Sequence, residues 1–217
     1  SYSLPKGKSL IGSFATHDDI SPMFHGGADY CNLTMGLQAT LPMLNPYIVD
    51  GYQSGDNYSY KYEDSHNPVT QTDNNEMTVH RGRLDIFNLS RKPGGNQPES
   101  AFAMRDKYKD VITKGTFIQL DKSKDKNDQV IAYARHLNGK TLLVVANKNV
   151  NRSTACKIKV PTLKADQKLE NLLPSYGQPS ILQAHDNELS VNLGPARVHV
   201  FEIDTPNIEN YCNKIYR

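Results

Sequence analysis

The sequence predicts two fold classes in one chain: an α/β part built from βα units over residues 1–115, then an antiparallel β-sandwich with Greek-key connections over residues 116–204. Three observations carry this prediction. Up to Gly115 the apolar residues recur every three or four positions or stand in short unbroken runs, the patterns of amphipathic helices and of buried parallel strands. Beyond Gly115 they alternate with polar residues, as half-buried strands do. The alternating runs are separated by turn pairs such as Asn138-Gly139, Asp186-Asn187 and Gly194-Pro195, which favour the backbone conformations of hairpins. Residues 205–217 form a tail that either docks or frays.

The first element is the apolar run 11–15 in "IGSFATHDDISPMFHGG". It predicts a strand that delivers His17, Asp18 and Asp19 at its end and then dissolves into glycine and polar loop. Residues 29–44, "DYCNLTMGLQATLPML", place Tyr30, Leu33, Leu37, Leu41 and Leu44 on one helical face. Pro42 terminates or kinks that helix near its end. Residues 47–49 then form a short apolar run between Pro46 and Gly51, read as a second strand parallel to the first across the helical crossover.

Residues 53–97 are polar and show no sustained period. A stretch of that length is either functional or carries small elements of its own. Within it, Tyr58, Tyr60 and Tyr62, with Tyr52 just before, are interleaved with Asp56, Asn57, Lys61 and Glu63. Aromatic faces beside polar groups suit sugar rings, whose faces are apolar and whose rims are hydroxyls; alternatively, the tyrosines pack the loop against its neighbours. "PESAFAMRDKYKDVI" follows, a helix opened by Pro98, with Phe102, Arg105, Lys109 and Ile112 on one side and Gly115 after it.

Eight strand candidates occupy the second half: "TFIQL", "QVIAYARHL", "KTLLVVAN", "CKIKV", "KLENLL", "SILQ", "ELSVNL" and "ARVHVFEI". Residues 121–129 alternate in charge sign and read as a solvated hairpin.

Composition excludes several classes of function. A net charge of +2 is too small to argue for a nucleic-acid partner, and no stretch approaches the roughly 20 apolar residues of a membrane helix. Cys31, Cys156 and Cys212 lie far apart without metal-ligand spacing, and Cys156 reads as a small buried hydrophobe. His25, His66 and His80 with Asp64 or Asp73 fit no ligand pattern. The glycines of "RKPGG" at residues 91–95 mark a turn rather than a phosphate loop.

Taken in order, four motifs resemble those of the α-amylase family, glycoside hydrolase family 13. Phe14-Ala15-Thr16-His17-Asp18 is similar to the family's "F-V-x-N-H-D" at the end of its seventh barrel strand, with Thr16 in the place of Asn. Leu41-Pro42 through Pro46-Tyr47-Ile48-Val49-Asp50-Gly51 is similar to "L-P-G-x-P-x-I-Y-Y-G-x-E" at the eighth strand, with Asp50 and Gln53 where Tyr and Glu are usual. Arg105, Ile112 and Gly115 resemble "R-x-x-x-x-x-I-x-x-G" after the eighth helix. Ala132, Arg135, Gly139-Lys140 and Asn147 resemble "A-x-x-R…G-K-x-L-L-V-V-x-N" of the closing β domain. The resemblance spans about residues 10–203.

It implies that the βα units are strands 7 and 8 of a TIM (β/α)8 barrel, whose sites lie at the C-terminal ends of the strands. Asp18 then stabilises the transition state of α-glycoside cleavage, and His17 donates a hydrogen bond to the same sugar. Asp19, Tyr52, Asp56 and Tyr58 are further substrate-binding candidates. The nucleophile and the acid that retaining cleavage requires belong, in that family, to strands preceding residue 1. The chain is therefore expected to be inactive alone, with open strand edges, and its partner is the upstream part of the same barrel. The implied substrate is α-1,4-linked glucan, with no cofactor; calcium, found in some relatives, is not predicted from this chain. An α-glucanotransferase is the alternative enzyme. A glucan-binding or structural β-sandwich is the non-catalytic alternative, and Phe117, Tyr133 and Phe201 at alternating core-type positions favour the structural one.

Overall fold

A computed structural model describes residues 8–14, 22–48, 98–123, 128–173 and 181–216. Strand β1 (Leu10–Gly12) leads to helix α1 (Pro22–Thr40) and strand β2 (Leu44–Pro46), and β1 and β2 pair in parallel with Leu10 opposite Leu44 and Gly12 opposite Pro46. The predicted crossover unit is present, with shifted bounds. Helix α1 starts earlier than residue 29 and is kinked at Gly26 and Gly27, the latter at φ 67°, a conformation open to glycine at little cost.

The C-terminal end of α1 falls at Thr40 rather than Leu44. Leu41 N–H makes the last helical bond, to Leu37 O at 2.9 Å, Pro42 has no N–H to offer, and Met43 reverses the chain at φ 55°. The tight turn starts the second strand at Leu44 and it ends at Pro46, so Tyr47 and Ile48, expected in that strand, follow it; residue 49 lies outside the described residues.

The second helical region is broken in two, α2 (Pro98–Lys107) and α3 (Lys109–Lys114). Tyr108, at φ −109° and ψ 20°, sits at the break and donates its hydroxyl to Glu202 at 2.6 Å. The buried side is Ala101, Met104, Tyr108, Val111 and Ile112, whereas Lys109, placed on the apolar side by the sequence reading, is exposed. Its ammonium would have to be desolvated there, a cost that rotates the helix away from that face.

Seven of the eight predicted sandwich strands form. A five-stranded antiparallel sheet runs in the order β10-β3-β4-β5-β9, with β3 (Thr116–Gln119), β4 (Val130–Leu137), β5 (Lys140–Asn147), β9 (Val198–Ile203) and β10 (Ile215–Tyr216). A three-stranded antiparallel sheet holds β6 (Thr154–Lys159), β8 (Glu188–Leu193) and β7 (Ile181–His185) in that order. Residues 168–173 make only an isolated bridge from Asn171 to Phe201. There the Asn171 side chain accepts from Leu173 N and Val200 N and donates to Leu173 O, closing a turn where a strand was expected. The tail docks: Ile208 is buried, and β10 pairs with β3.

These elements stack in three layers. α1, α2 and α3 cover one face of the five-stranded sheet through Leu33, Met35, Leu37, Met104 and Ile112 against Leu142, Val144 and Val200. The three-stranded sheet covers the other face, with Ile158, Leu189 and Val191 against Leu143, Val145 and Phe201. β5 therefore feeds both cores in turn, which is why its sequence is apolar without interruption. Cys156 is 6% exposed, as expected of a buried hydrophobe.

Candidate functional site

The parallel pair brings two chain segments out at the same end. From Gly12 the chain runs through Ser13 and Phe14 toward His17, Asp18 and Asp19, and from Pro46 it runs through Tyr47 and Ile48 toward Tyr52, Asp56 and Tyr58. Those six candidate residues lie outside the described residues, as do His66, His80, Asp64, Asp73 and residues 91–95. What is described is the platform of β1, α1 and β2 from which those segments leave.

Four groups tie that platform together. Tyr47 N–H donates to Gly12 O at 3.0 Å, extending the ladder past β2. Gln38 of α1 is fully buried, and one end of its amide lies 3.2 Å from Gly12 O and 3.3 Å from Tyr47 O; two carbonyl acceptors at that end require the amide nitrogen there, donating to both. Arg105 of α2 donates to Ala39 O in the last turn of α1 and to Leu44 O in β2, both at 2.8 Å; burial lowers its pKa from the usual arginine value. Thr40 donates to Gly36 O at 2.8 Å and shares a 2.6 Å hydrogen bond with the Tyr133 hydroxyl, in the middle of β4. Burial raises the Tyr133 pKa well above the ordinary tyrosine value, so this hydroxyl stays neutral and bonded.

The sequence reading named Arg105 but missed Gln38 and Thr40. A signal was available: residues 30–49 contain no charged side chain, and α1 is buried along the whole of residues 31–40. Polar groups on a helix without an aqueous face must find partners inside the protein.

Two further motif residues fasten junctions between elements, Arg135 between helix and sheet and Asn147 between the two sheets. Arg135, 2% exposed, donates to Ile112 O at 2.6 Å and Gly115 O at 2.8 Å with its guanidinium 5.9 Å from the Phe117 ring. Burial draws its pKa down to about 10, still protonated at neutral pH. Asn147 donates to Arg152, Leu193 and Gly194 carbonyls and accepts from Asn149 N and Thr154 Oγ1. It fastens the end of β5 to the start of β6 and the end of β8.

The β1–β2 pair leaves apolar surface uncovered. Ile11 is 78% and Leu10 56% exposed, and Phe14, Met43 and Tyr47 are exposed beside them. Leu10 and Ile11 are successive strand residues and point to opposite faces, so both faces of β1 are open, whereas parallel strands are normally covered on both.

Elsewhere the described residues offer little chemistry. A cleft of about 300 Å³ at the α2–α3 break is lined by Asp106, Lys107, Lys109, Asp110 and Lys140 among others. There Asp110 is paired with Lys114 at 2.8 Å, and the Lys107 ammonium lies 5.2 Å from the Tyr108 ring. Among the described residues no cluster of three or more His, Cys, Asp or Glu could hold a metal ion. The outer face of the three-stranded sheet exposes Lys157, Lys159, Gln183, His185 and Asn192, and none of its described residues is aromatic.

No protein-family model and no curated protein matches the sequence. Solved structures do match in fold. A debranching enzyme from Nostoc punctiforme, in a crystal soaked with acarbose, superimposes with a TM-score of 0.55 at 18% identity, over 90% of this chain and 34% of that one. A maltogenic α-amylase from Thermotoga neapolitana gives 0.61 at 12% identity, over 93% and 42%. An isomaltulose synthase from Erwinia rhapontici, in complex with its natural substrate sucrose, gives 0.56 at 14% identity, over 90% and 43%. The chain thus spans less than half the length of each of these three enzymes. Its fold is that of a part of α-amylase-family enzymes, consistent with their C-terminal portion.

Proposed function

We propose that this chain, which shares its fold with part of the α-amylase-family enzymes, is the C-terminal part of a retaining α-glucan hydrolase acting on α-1,4-linked glucan. The observation that carries the reading is the β1–α1–β2 crossover with its strands in parallel, joined to a helix-covered antiparallel sheet in the order of the motifs that resemble that family. The uncovered faces of β1 fit a strand that a barrel interior and a helical outer layer would cover. Residues 1–115 then complete a barrel, and residues 116–204 brace it.

In this reading Asp18 grips sugar hydroxyls as positive charge develops on the ring, and His17 donates to the same sugar. Asp19, Tyr52, Asp56 and Tyr58 shape the binding cleft from the segments that leave β1 and β2. The nucleophile and acid come from upstream strands. Hydrolysis and glucan transfer share a covalent glycosyl intermediate, so an α-glucanotransferase is the second enzymatic reading. The sheet face without described aromatics favours a bracing role over glucan binding for the β-sandwich, because sugar platforms are built on exposed rings.

In the longer enzyme that carries this chain, Asp18→Asn is expected to lower kcat on maltooligosaccharides by about 100-fold or more, the scale of losing a group aimed at transition-state charge. Thermal unfolding should be unchanged. Near-wild-type kcat in a folded Asp18→Asn enzyme would overturn the assignment.

A further inference from the structure

We propose that Gln38 is a positioning residue for the site beyond β1 and β2. Its amide ties Gly12, the last residue of β1, to Tyr47, just past β2, and anchors both to α1. The proposal rests on the reading of the site given above, and it adds a residue that no sequence motif points to.

The physical case starts from the shortness of the ladder. β1 and β2 pair over three residues each, and a pair that small has little stability of its own. Fraying would begin at the end where the two segments depart. That end carries the extra bonds: Gly12 O accepts from Tyr47 N at 3.0 Å and from the Gln38 amide at 3.2 Å, and Tyr47 O accepts from the same amide at 3.3 Å. Gln38 is wholly buried, so neither carbonyl can exchange this donor for water without opening the packing.

α1 in turn is fixed through Thr40 to Tyr133 and through Ala39 O to Arg105. Gln38 therefore transmits the rigidity of the five-stranded sheet to the two strand ends. His17 and Asp18 depart five and six residues after Gly12, and Tyr52 five after Tyr47. A shift of about 1 Å at a reacting group can cost about 100-fold in rate. Gln38 touches no substrate in this account; it acts by holding the strand ends from which the substrate-binding segments leave.

The test uses Gln38→Met, which keeps the length of the side chain and removes the donor. In the 217-residue chain, amide hydrogen exchange at Tyr47 is expected to accelerate about 10-fold or more, while Val144, in the middle of β5, is unchanged. In the longer enzyme, kcat is expected to fall about 10- to 100-fold with KM altered less than about 3-fold. Unchanged protection at Tyr47, or full kcat in folded Gln38→Met enzyme while Asp18→Asn is inactive, overturns the role of Gln38. Faster exchange at Tyr47 with full kcat in both variants places the failure in the catalytic reading and removes the proposal with it. Should Gln38→Met not fold, Gln38→Glu keeps the volume and presents only acceptors when ionised; the same two outcomes decide.

Discussion

His199 on β9 is a buried imidazole with a calculable consequence. It is 3% exposed, stacked on Phe201 with ring centroids 5.9 Å apart. Burial, with a smaller contribution from the Arg197 charge, lowers its pKa to about 4 from the ordinary 6.5. The folded state then binds fewer protons than the unfolded one between those two values. Stability is complete above about pH 6.5 and is lost as pH falls toward 4, by roughly 3–4 kcal/mol at most, at about 1.4 kcal/mol per pH unit of difference. Urea midpoints at pH 7 and pH 4.5 check this: the wild-type midpoint should drop, and His199→Phe should drop less. An equal drop in both would assign the acid sensitivity to other groups. Asn147 and Arg135 show the other side of residue-scale design, each holding several backbone groups at a junction, where a truncated side chain would leave buried carbonyls without donors.

At the scale of elements, α1 governs how the helical layer meets the sheet. Gly36 lets it approach β9 closely: a Cβ built there would stand 2.8 Å from Val198 Cγ1 and 3.2 Å from Cγ2. Gly36→Ala gains up to about 1 kcal/mol of helix propensity but overpacks a rigid β-branched neighbour at a cost of about 1–3 kcal/mol. The net expectation is destabilisation of about 1 kcal/mol, measured by chemical denaturation and relieved in the double variant Gly36→Ala/Val198→Ala. A stabilised single variant would mean that the helix simply moves away.

What the sequence showed and hid follows from the same elements. The crossover unit and seven of the eight sandwich strands were legible because each carries a pattern of its own, in apolar spacing or in turn residues. The start of β2 was not, since Leu41 and Leu44 continue the helical spacing while Pro42 and the positive φ of Met43 end the helix. The break at Tyr108 was hidden because the helical spacing of residues 98–112 runs through it unmarked, and the partner of the Tyr108 hydroxyl, Glu202, lies 94 residues away. Residues 168–173 have strand-like composition, yet the Asn171 side chain takes both backbone groups of Leu173, which leaves a single bridge to β9 in place of a ladder. The motif resemblance pointed to His17 and Asp18; the uncharged stretch 30–49 marked Gln38 only as a polar group in need of buried partners, and which partners, the backbone of two other elements, no local pattern gives.

At the scale of the whole molecule, the five-stranded sheet is the common wall. Helices lie on one side and the three-stranded sheet on the other, so the β domain and the crossover unit share a core instead of being joined by a linker. That continuity explains how a two-strand parallel pair persists while Leu10 and Ile11 stand exposed: its support comes from α1 behind it. It also fits a division of labour in which this chain supplies a stiff platform and two site-bearing segments, and upstream strands supply the remaining carboxylates.

The most direct measurement of that account is reducing-sugar release from soluble starch and maltooligosaccharides by the 217-residue chain beside the longer enzyme that carries it. The account predicts activity in the longer enzyme and none in the 217-residue chain. Activity in the chain alone would contradict it, because the nucleophile and acid would then have to lie within these residues.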